Sequence, residues 1–238
     1  MTSLSPANAK RLRLAFEQCR EMEGTLAEQL TAYAAAGREI FPAYSEAVDR
    51  LLARICENGG GENAPRPGEI LPTFMLPDEN GRLVSLTSLL AQGPVAVMFF
   101  RGHWCPYCRL NVRAVIAAQD RIKAFGAQTI AIMPETQEFT GKFKTDSGAP
   151  FPVLTDLDNG YALSLNLAIW LGGEIQQLLS YQDLANFHGN DGWVLPIPAT
   201  FVVGQDGVVK ARFVDPDFRR RMEIEDLLAA LQSAARKT

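Results

Sequence analysis

The chain has 238 residues, of which 47% are hydrophobic and 21% charged, and its formal net charge at pH 7 is -4. This composition is ordinary for a globular protein, and the length allows one large domain or a domain with an appendage. The acidic balance argues against a nucleic-acid-binding surface, which normally carries a basic excess. No apolar run reaches the roughly 18 residues of a membrane helix, and the N-terminus lacks the apolar core of a signal peptide. We therefore expect a cytoplasmic protein with no membrane or nucleic-acid partner.

The first quarter of the chain, residues 6 to about 57, has the pattern of amphipathic helices. Apolar side chains recur at three- and four-residue steps over residues 12–33, which is the period of one helix face. Gly37 is expected to cap this first helix, and Pro42 to lie in the first turn of a second helix. The two helices are predicted to form a hairpin.

The glycine- and proline-rich stretch GGGENAPRPG, residues 59–68, has the composition of a linker. It divides the chain into a helical N-terminal extension, residues 1–58, and a second domain, residues 69–238. Within the extension, Cys19 and Cys56 would lie at similar heights in the hairpin. A bridge between them is conceivable, but two small apolar core residues are the favoured interpretation.

Beyond the linker the pattern alternates between strands and helices. The run PVAVMFF has the length and continuous hydrophobicity of a strand buried on both faces, and AQTIAIMP repeats this pattern. Asn80-Gly81 and Asp206-Gly207 are typical hairpin turns. The order strand, helix, strand, helix, antiparallel hairpin and helix predicts an α/β sandwich with a mixed central sheet.

The segment RGHWCPYC, residues 101–108, stands between the first buried strand and the next helix. Cys105 would lie at the beginning of that helix, where unpaired N–H groups and the helix dipole stabilise a thiolate and lower its pKa. Cys108 follows one turn later, within reach of a disulfide, and Trp104 would give the thiolate an apolar shoulder. Further positive charge would come from nearby side chains: Arg101, His103, Arg109 and Arg113.

Three interpretations of the cysteine pair are open at this point: a redox centre, half of a zinc site, and two inert core thiols. Zinc needs two further ligands, and the remaining cysteines and histidines form no second pair. Inert thiols are the default for scattered cysteines, but strand–C-x-x-C–helix is a specific context. The residues favour redox chemistry.

Together these segments resemble the thioredoxin superfamily, and more closely its peroxiredoxin-like AhpC/TSA group. The resemblance spans roughly residues 66–236 and rests on GEILPTFMLPDENGRLVSL, VMFFRGHWCPYC, FPVLTDLDN and PATFVVGQDGVVKARF. It implies a thioredoxin-like fold, a mixed central sheet flanked by helices, to which the N-terminal helices and residues 170–193 are additions. It also implies a thiol-dependent oxidoreductase with no prosthetic cofactor and no metal.

Two templates within the superfamily compete for the same residues. A peroxiredoxin carries P-x-x-x-T-x-x-C before its peroxidatic cysteine, and matching Cys108 to that cysteine puts Cys105 on the threonine and Arg101 on the proline. The peroxide-binding arginine of that family would fall at Pro198. A thioredoxin-type enzyme instead carries W-C-x-x-C and a facing cis-proline. WCPYC and Pro198 fit that template, with Cys105 as the exposed nucleophile and Cys108 as the resolving thiol.

The resemblance implies reduction of hydroperoxides through a sulfenic acid and a Cys105–Cys108 disulfide. The reductant would be a small thiol or a thioredoxin- or glutaredoxin-type protein. The alternatives are thiol–disulfide exchange without peroxidase activity, in which the substrate is a disulfide, and a redox-sensing or binding protein. An exposed apolar face on residues 12–33 would favour the sensor, and the same face could form a homodimer.

Four further features receive structural interpretations. His188 is expected to be a loop histidine. The arginines of FRRR, residues 218–221, are expected to be solvated at the entrance of the last helix. Trp170 and Trp193 are expected to be packing residues that flank the insertion.

Overall fold

A computed structural model describes residues 4–235. In it, the N-terminal extension has three helices rather than the predicted two. The helices are α1 (Pro6–Glu21), α2 (Leu26–Ile40) and α3 (Pro42–Glu57). The expected first helix is interrupted between Glu21 and Leu26, where Gly24 has a φ of 137° and Thr25 is the N-cap of α2. Thr25 and Glu28 form a capping box there, each side chain accepting from the other residue's backbone N–H. Gly37 lies inside α2 instead of capping it.

The rest of the chain builds one central sheet with helices around it. Its elements are β1 (Met75–Pro77), β2 (Leu83–Ser85), α4 (Leu86–Leu90), β3 (Val95–Phe99), α5 (Pro106–Ala117), α6 (Gln119–Ala124), β4 (Gln128–Met133), α7 (Gln137–Ser147), β5 (Val153–Thr155), a 3-10 turn (Leu157–Asn159), α8 (Gly160–Ser164), β6 (Ala168–Trp170), α9 (Gly173–Leu178), α10 (Leu184–His188), β7 (Val194–Pro196), β8 (Ala199–Val203), β9 (Val209–Val214) and α11 (Ile224–Ala235).

The central sheet has the strand order β5-β4-β3-β8-β9. Strands β3, β4 and β5 are parallel, and β8 and β9 run antiparallel to their neighbours. Helix α11 packs on β3, β8 and β9, while α7 packs on β5. The predicted fold class, a mixed sheet flanked by helices, is confirmed.

The centre of the sheet explains the two apolar runs seen in the sequence. Every residue of β3 is buried, and so is every residue of β4 after its first. Both strands have neighbours on each side and helices on the sheet faces, so no polar face is needed. The turn at Asn80-Gly81 joins β1 to β2, and the turn at Asp206-Gly207 joins β8 to β9, as predicted.

The stretch predicted to be a linker lies against the sheet domain. The N–H of Gly68 donates to the carbonyl of Val209 at 2.9 Å, and that of Leu71 to the carbonyl of Gly207 at 3.0 Å. Ahead of these bonds, Ala64 is buried. Helix α2 packs on α5, and α3 packs on α9. The three helices therefore pack on the sheet domain next to the N-terminus of α5.

The insertion forms its own two-stranded hairpin, in which β6 pairs antiparallel with β7. Trp193 is partly buried against the core, as predicted. Trp170 instead remains exposed, and the guanidinium of Arg54 lies 5.4 Å from its ring centroid. In the described part of the chain, no helix combines the length and the apolar character that a bilayer crossing requires.

Candidate active site

The two cysteines of WCPYC lie where the end of β3 turns into α5. Cys105 is the N-cap residue of α5, and Pro106 occupies its first helical position, where a missing N–H costs nothing. The N–H of Cys105 donates to the carbonyl of Gly102 at 3.2 Å, which closes the turn before the helix. Cys108 follows one turn later. The predicted placement of the pair at a helix N-terminus is confirmed.

Both thiols are buried, which corrects the expectation that Cys105 is exposed. Cys105 is 1% exposed and Cys108 0%. Cys105 lines a pocket of about 580 Å³, whereas Cys108 does not. The walls of this pocket come from α1, α2, the beginning of α3, residues 179–182 and residues 218–219. Burial therefore results from packing by the N-terminal extension and the insertion.

The surroundings of the two thiols lower the pKa of Cys105 and raise the pKa of Cys108. Burial acts to raise the pKa of Cys105, but the hydrogen bond with Cys108 and the charges of Arg101 and Arg221 lower it to about 6. Burial raises the pKa of Cys108, and its hydrogen bond to Cys105 raises it further. These opposite shifts favour ionisation of Cys105 over that of Cys108.

Arg221 is one of two buried arginines beside the sulfurs. Its Nη2 lies 3.7 Å from the Cys108 Sγ, and its Nη1 donates to the carbonyls of Phe218 and Arg220. The side chain is 6% exposed and pairs with no carboxylate within residues 4–235. The prediction that residues 218–221 are all solvated is wrong for this residue. A buried cation without a carboxylate is costly, and the charge of Arg221 is one of those that lower the pKa of Cys105.

Arg101 is the second buried arginine, at 2% exposure. Its guanidinium lies 3.8 Å from the ring centroid of Phe218 and 5.3 Å from that of Trp104. Its backbone N–H donates to the Cys108 Sγ at 3.4 Å. Trp104 lies beside this cation and lines the pocket, in the position expected for an apolar shoulder of the thiolate.

Glu135 is a site residue that the sequence reasoning missed. It lies two residues after the end of β4 and is fully buried. Its carboxylate accepts from the backbone N–H of His103 at 2.8 Å and lies 2.7 Å from the Nδ1 of the same residue. Burial raises the pKa of Glu135, and His103 counteracts that shift. The signal in the sequence was an acidic residue at the carboxyl end of a buried strand beside the one that precedes the C-x-x-C.

Gly102 illustrates how tightly the loop before Cys105 is packed. Its φ is 146°, and a Cβ there would lie 2.5 Å from Trp104 Nε1 and 2.6 Å from Glu135 Oε1. We expect Gly102→Ala to lower the free energy of unfolding by about 1–3 kcal/mol, because both the backbone and the neighbours oppose a side chain. Urea unfolding measures this. Gly173→Ala, which meets no atom within 4 Å, is the control, and equal stability of both variants would contradict the prediction.

The predicted cis-proline at Pro198 is wrong, because residues 4–235 contain no cis peptide bond. The N–H of Ile197 donates to the carbonyl of Leu167 at 2.7 Å, so the chain stays extended between β7 and β8. The pairing of Phe99 with Ala199 places Pro198 beside the residue that follows β3. Pro198 therefore lies at the correct edge of the sheet without the predicted peptide geometry.

His188 and the remaining cysteines differ in part from their predicted environments. His188 ends α10 instead of lying in a loop, and burial lowers its pKa to about 4, helped by the charges of Arg101 and His103. Cys19 is buried and Cys56 is exposed, so only the first of them is the predicted core residue, and both are free thiols. Within the described residues, no three His, Cys, Asp or Glu side chains are grouped as metal ligands.

A mixed sheet in this order, with C-x-x-C at the beginning of the helix after its central strand, defines a thioredoxin-like fold. Among solved structures, peroxidoxin BcpB from Mycobacterium tuberculosis matches with a TM-score of 0.56 and 20% identity, over 71% of this chain and 97% of that one. Reduced Prx3 from Vibrio vulnificus in complex with H2O2 matches with a TM-score of 0.56 and 19% identity, over 69% and 97%. At these identities the likeness shows the fold alone.

The family model of the AhpC/TSA family matches residues 67–212, more than half of the chain, and the protein belongs to that family. It is 24% identical over 168 residues to the thiol-disulfide oxidoreductase ResA of Bacillus subtilis, covering 67% of this chain and 78% of ResA. It is 26% identical over 166 residues to the chloroplastic peroxiredoxin Q of Oryza sativa subsp. japonica, covering 70% and 66%. The protein is thus a thiol-dependent oxidoreductase, either a thiol peroxidase or a thiol–disulfide oxidoreductase.

Proposed function

We propose that the chain reduces hydroperoxides through Cys105 and Cys108. The observation that carries the proposal is that a thiol with a lowered pKa, 1% exposed, lines a pocket of about 580 Å³. A hydroperoxide is small enough to enter such a pocket and reach the sulfur. A disulfide on the surface of a folded protein would not reach a sulfur that is 1% exposed and lies within a pocket.

In the first step, the Cys105 thiolate attacks the terminal oxygen of the hydroperoxide. The O–O bond breaks, Cys105 becomes a sulfenic acid, and the alkoxide takes up a proton from solvent and leaves as an alcohol, or as water if the substrate is hydrogen peroxide. The nearby cations Arg101 and Arg221 keep the sulfur ionised before this step.

In the second step, Cys108 attacks the sulfenic sulfur and water leaves, which produces the Cys105–Cys108 disulfide. Arg221 and the backbone N–H of Arg101 stabilise the developing thiolate on Cys108 as it gives up its proton. An external thiol then returns two electrons to the pair. Such a cycle suits a reducing compartment like the cytosol, where thiols are abundant.

Thiol–disulfide exchange is the second candidate function. The WCPYC motif and the likeness to ResA favour it, and both reactions end in the same disulfide. The burial of Cys105 argues against a protein disulfide as the substrate. An exposed apolar face on residues 12–33 would have favoured the redox-sensor alternative. The central residues of that face, among them Phe16, Leu26, Leu30 and Tyr33, are instead buried within the chain, which also removes the face proposed for a homodimer.

The proposal is tested by mixing the reduced protein with one equivalent of hydrogen peroxide over a range of pH. We expect two free thiols to be lost for each peroxide consumed. Peptide mapping should then find Cys105 and Cys108 linked by a disulfide. The second-order rate constant should rise with pH to a plateau with its midpoint near 6, because only the thiolate reacts and the pKa of Cys105 is about 6. A rate no higher than that of a free thiol of similar pKa would contradict peroxide reduction.

A further inference from the structure

We infer that the thiol that reduces the Cys105–Cys108 disulfide is a small anionic thiol bound in the pocket above Cys105, and not a protein dithiol. This inference rests on the proposed function, because it assumes that the pair forms a disulfide. It follows from three properties of the pocket: how its walls are held, how large it is, and which charges line it.

The walls of the pocket are fixed to the active-site helix by aromatic contacts. The ring of Phe16 in α1 packs edge-on against Tyr33 in α2, with centroids 6.0 Å apart. Tyr33 packs in the same way against Tyr107, which belongs to α5 and lies between the two cysteines, with centroids 5.2 Å apart. All three rings are buried, so removing the wall exposes a large apolar area.

Ion pairs and a hydrogen bond also connect α2 and α3 to the rest of the chain. Asp49 of α3 lies 3.2 Å from Arg219, and Arg50 lies 2.7 Å from Glu174 of the insertion. The backbone N–H of Ala27 donates to the carboxylate of Glu223 at 2.7 Å. A protein reductant would have to break these contacts before its sulfur reached Cys105. Its approach is therefore blocked by a packed wall and not by a flexible loop.

The size of the pocket suits a small molecule. Its volume of about 580 Å³ lies within the roughly 300–1,000 Å³ of pockets that enclose compact ligands. Thiol–disulfide exchange requires the attacking sulfur to reach the attacked sulfur directly. Cys105 lines the pocket and Cys108 does not, so the attack is directed at Cys105.

The charges along the pocket select an anion. Four arginines line it: Arg13, Arg101, Arg109 and Arg219. The one acidic side chain in the lining, Glu17, is paired with Arg20 at 2.7 Å. Arg13 and Arg109 form no ion pair with a carboxylate of residues 4–235, and the guanidinium of Arg109 lies 4.5 Å from the ring centroid of Phe16. These two exposed guanidinium groups can bind the carboxylates of a small thiol whose sulfur points to Cys105.

The reaction balances with two molecules of the small thiol. The first thiolate attacks the Cys105 sulfur, forms a mixed disulfide and releases Cys108 as a thiolate, which Arg221 stabilises until it takes up a proton. The second thiolate attacks the sulfur of the bound thiol. A small-molecule disulfide leaves, and Cys105 returns to its thiolate form.

The test starts from protein oxidised with diamide, so that it does not depend on peroxide chemistry. Recovery of free thiols is followed with glutathione, neutral 2-mercaptoethanol and cationic cysteamine, each at the same thiolate concentration. We expect glutathione to react about fivefold faster than 2-mercaptoethanol and cysteamine to be slowest, because two exposed carboxylate–arginine contacts contribute on this scale. The advantage should shrink in about 0.5 M NaCl. Thioredoxin that rapidly reduces insulin should leave this disulfide intact.

The double substitution Arg13→Gln and Arg109→Gln should bring the ratio of the glutathione rate to the 2-mercaptoethanol rate towards one. Arg11→Gln is the matched control, since Arg11 belongs to the same helix but pairs with Glu39 outside the pocket. Rapid reduction by thioredoxin, or a ratio near one in the unsubstituted protein, would overturn the inference and leave peroxide reduction intact. If diamide joins the two sulfurs but hydrogen peroxide does not, the proposed function fails instead. If neither oxidant joins them, both fail.

Discussion

Cys105→Ser is expected to abolish hydroperoxide turnover, lowering it by about 10³-fold or more, the scale on which enzymes lose activity with an activated nucleophile. Cys108→Ser should instead react once with peroxide at a rate close to that of the unsubstituted protein and then stop. The two variants should differ because Cys105 lines the pocket and has a lowered pKa, whereas Cys108 does not line the pocket.

The measurement is peroxide consumption by each reduced variant, followed by trapping of sulfenic acid with dimedone and mass spectrometry. The trapped group should lie on Cys105 in the Cys108→Ser protein. Cys56→Ser is the control, since that thiol is exposed and free in the N-terminal extension. A sulfenic acid on Cys108 in the Cys105→Ser protein would reverse the roles of the two sulfurs and favour the peroxiredoxin template.

Arg221→Met is expected to raise the pKa of the reactive thiol by about 1–2 units, because it removes one of the two cations that favour the thiolate. At pH 7 the rate of reaction with hydrogen peroxide should then fall by about two- to tenfold, as the ionised fraction falls. The loss should diminish as the pH rises above the new pKa. Arg221→Lys, which keeps the charge, should retain more of the rate.

The pH dependence separates an electrostatic role of Arg221 from a purely structural one. A loss of the same size at every pH would indicate damaged packing and would refute the charge argument. Arg220→Gln is the matched control, because Arg220 is adjacent but exposed and pairs with Asp215 at 3.0 Å. Its pH profile should match that of the unsubstituted protein.

Local patterns in the sequence were sufficient to predict the sheet domain. The continuous apolar runs identified the buried strands β3 and β4, because a strand covered on both faces has no polar side. The position of Cys105 at a helix N-terminus followed from the order of strand, C-x-x-C and helix. These features depend on neighbours along the chain, which is why periodicity and turn residues reveal them.

The features that were missed depend on packing between distant segments. Arg221 lies 113 positions from the sulfur that it faces, and nothing in the run FRRR distinguishes it from the two less buried arginines beside it. The burial of Cys105 results from the N-terminal helices, whose docking on α5 no local pattern reveals. The break between α1 and α2 did have a local signal, Gly24 followed by Thr25 and Glu28, but the apolar period continues across it and suggested a single helix.

The origin of the pocket wall affects how far knowledge of relatives can be transferred to this chain. The family match covers residues 67–212, whereas α1, α2 and α3, which form much of the wall, precede it. The matched region includes the sulfur pair at the helix N-terminus, so the likeness bears on the chemistry of that pair. In the proposed mechanism, the molecules that reach that pair are selected by α1, α2 and α3, which lie outside the family match. Two members of the family with the same catalytic motif and different leading helices should therefore differ in the reactants that they admit.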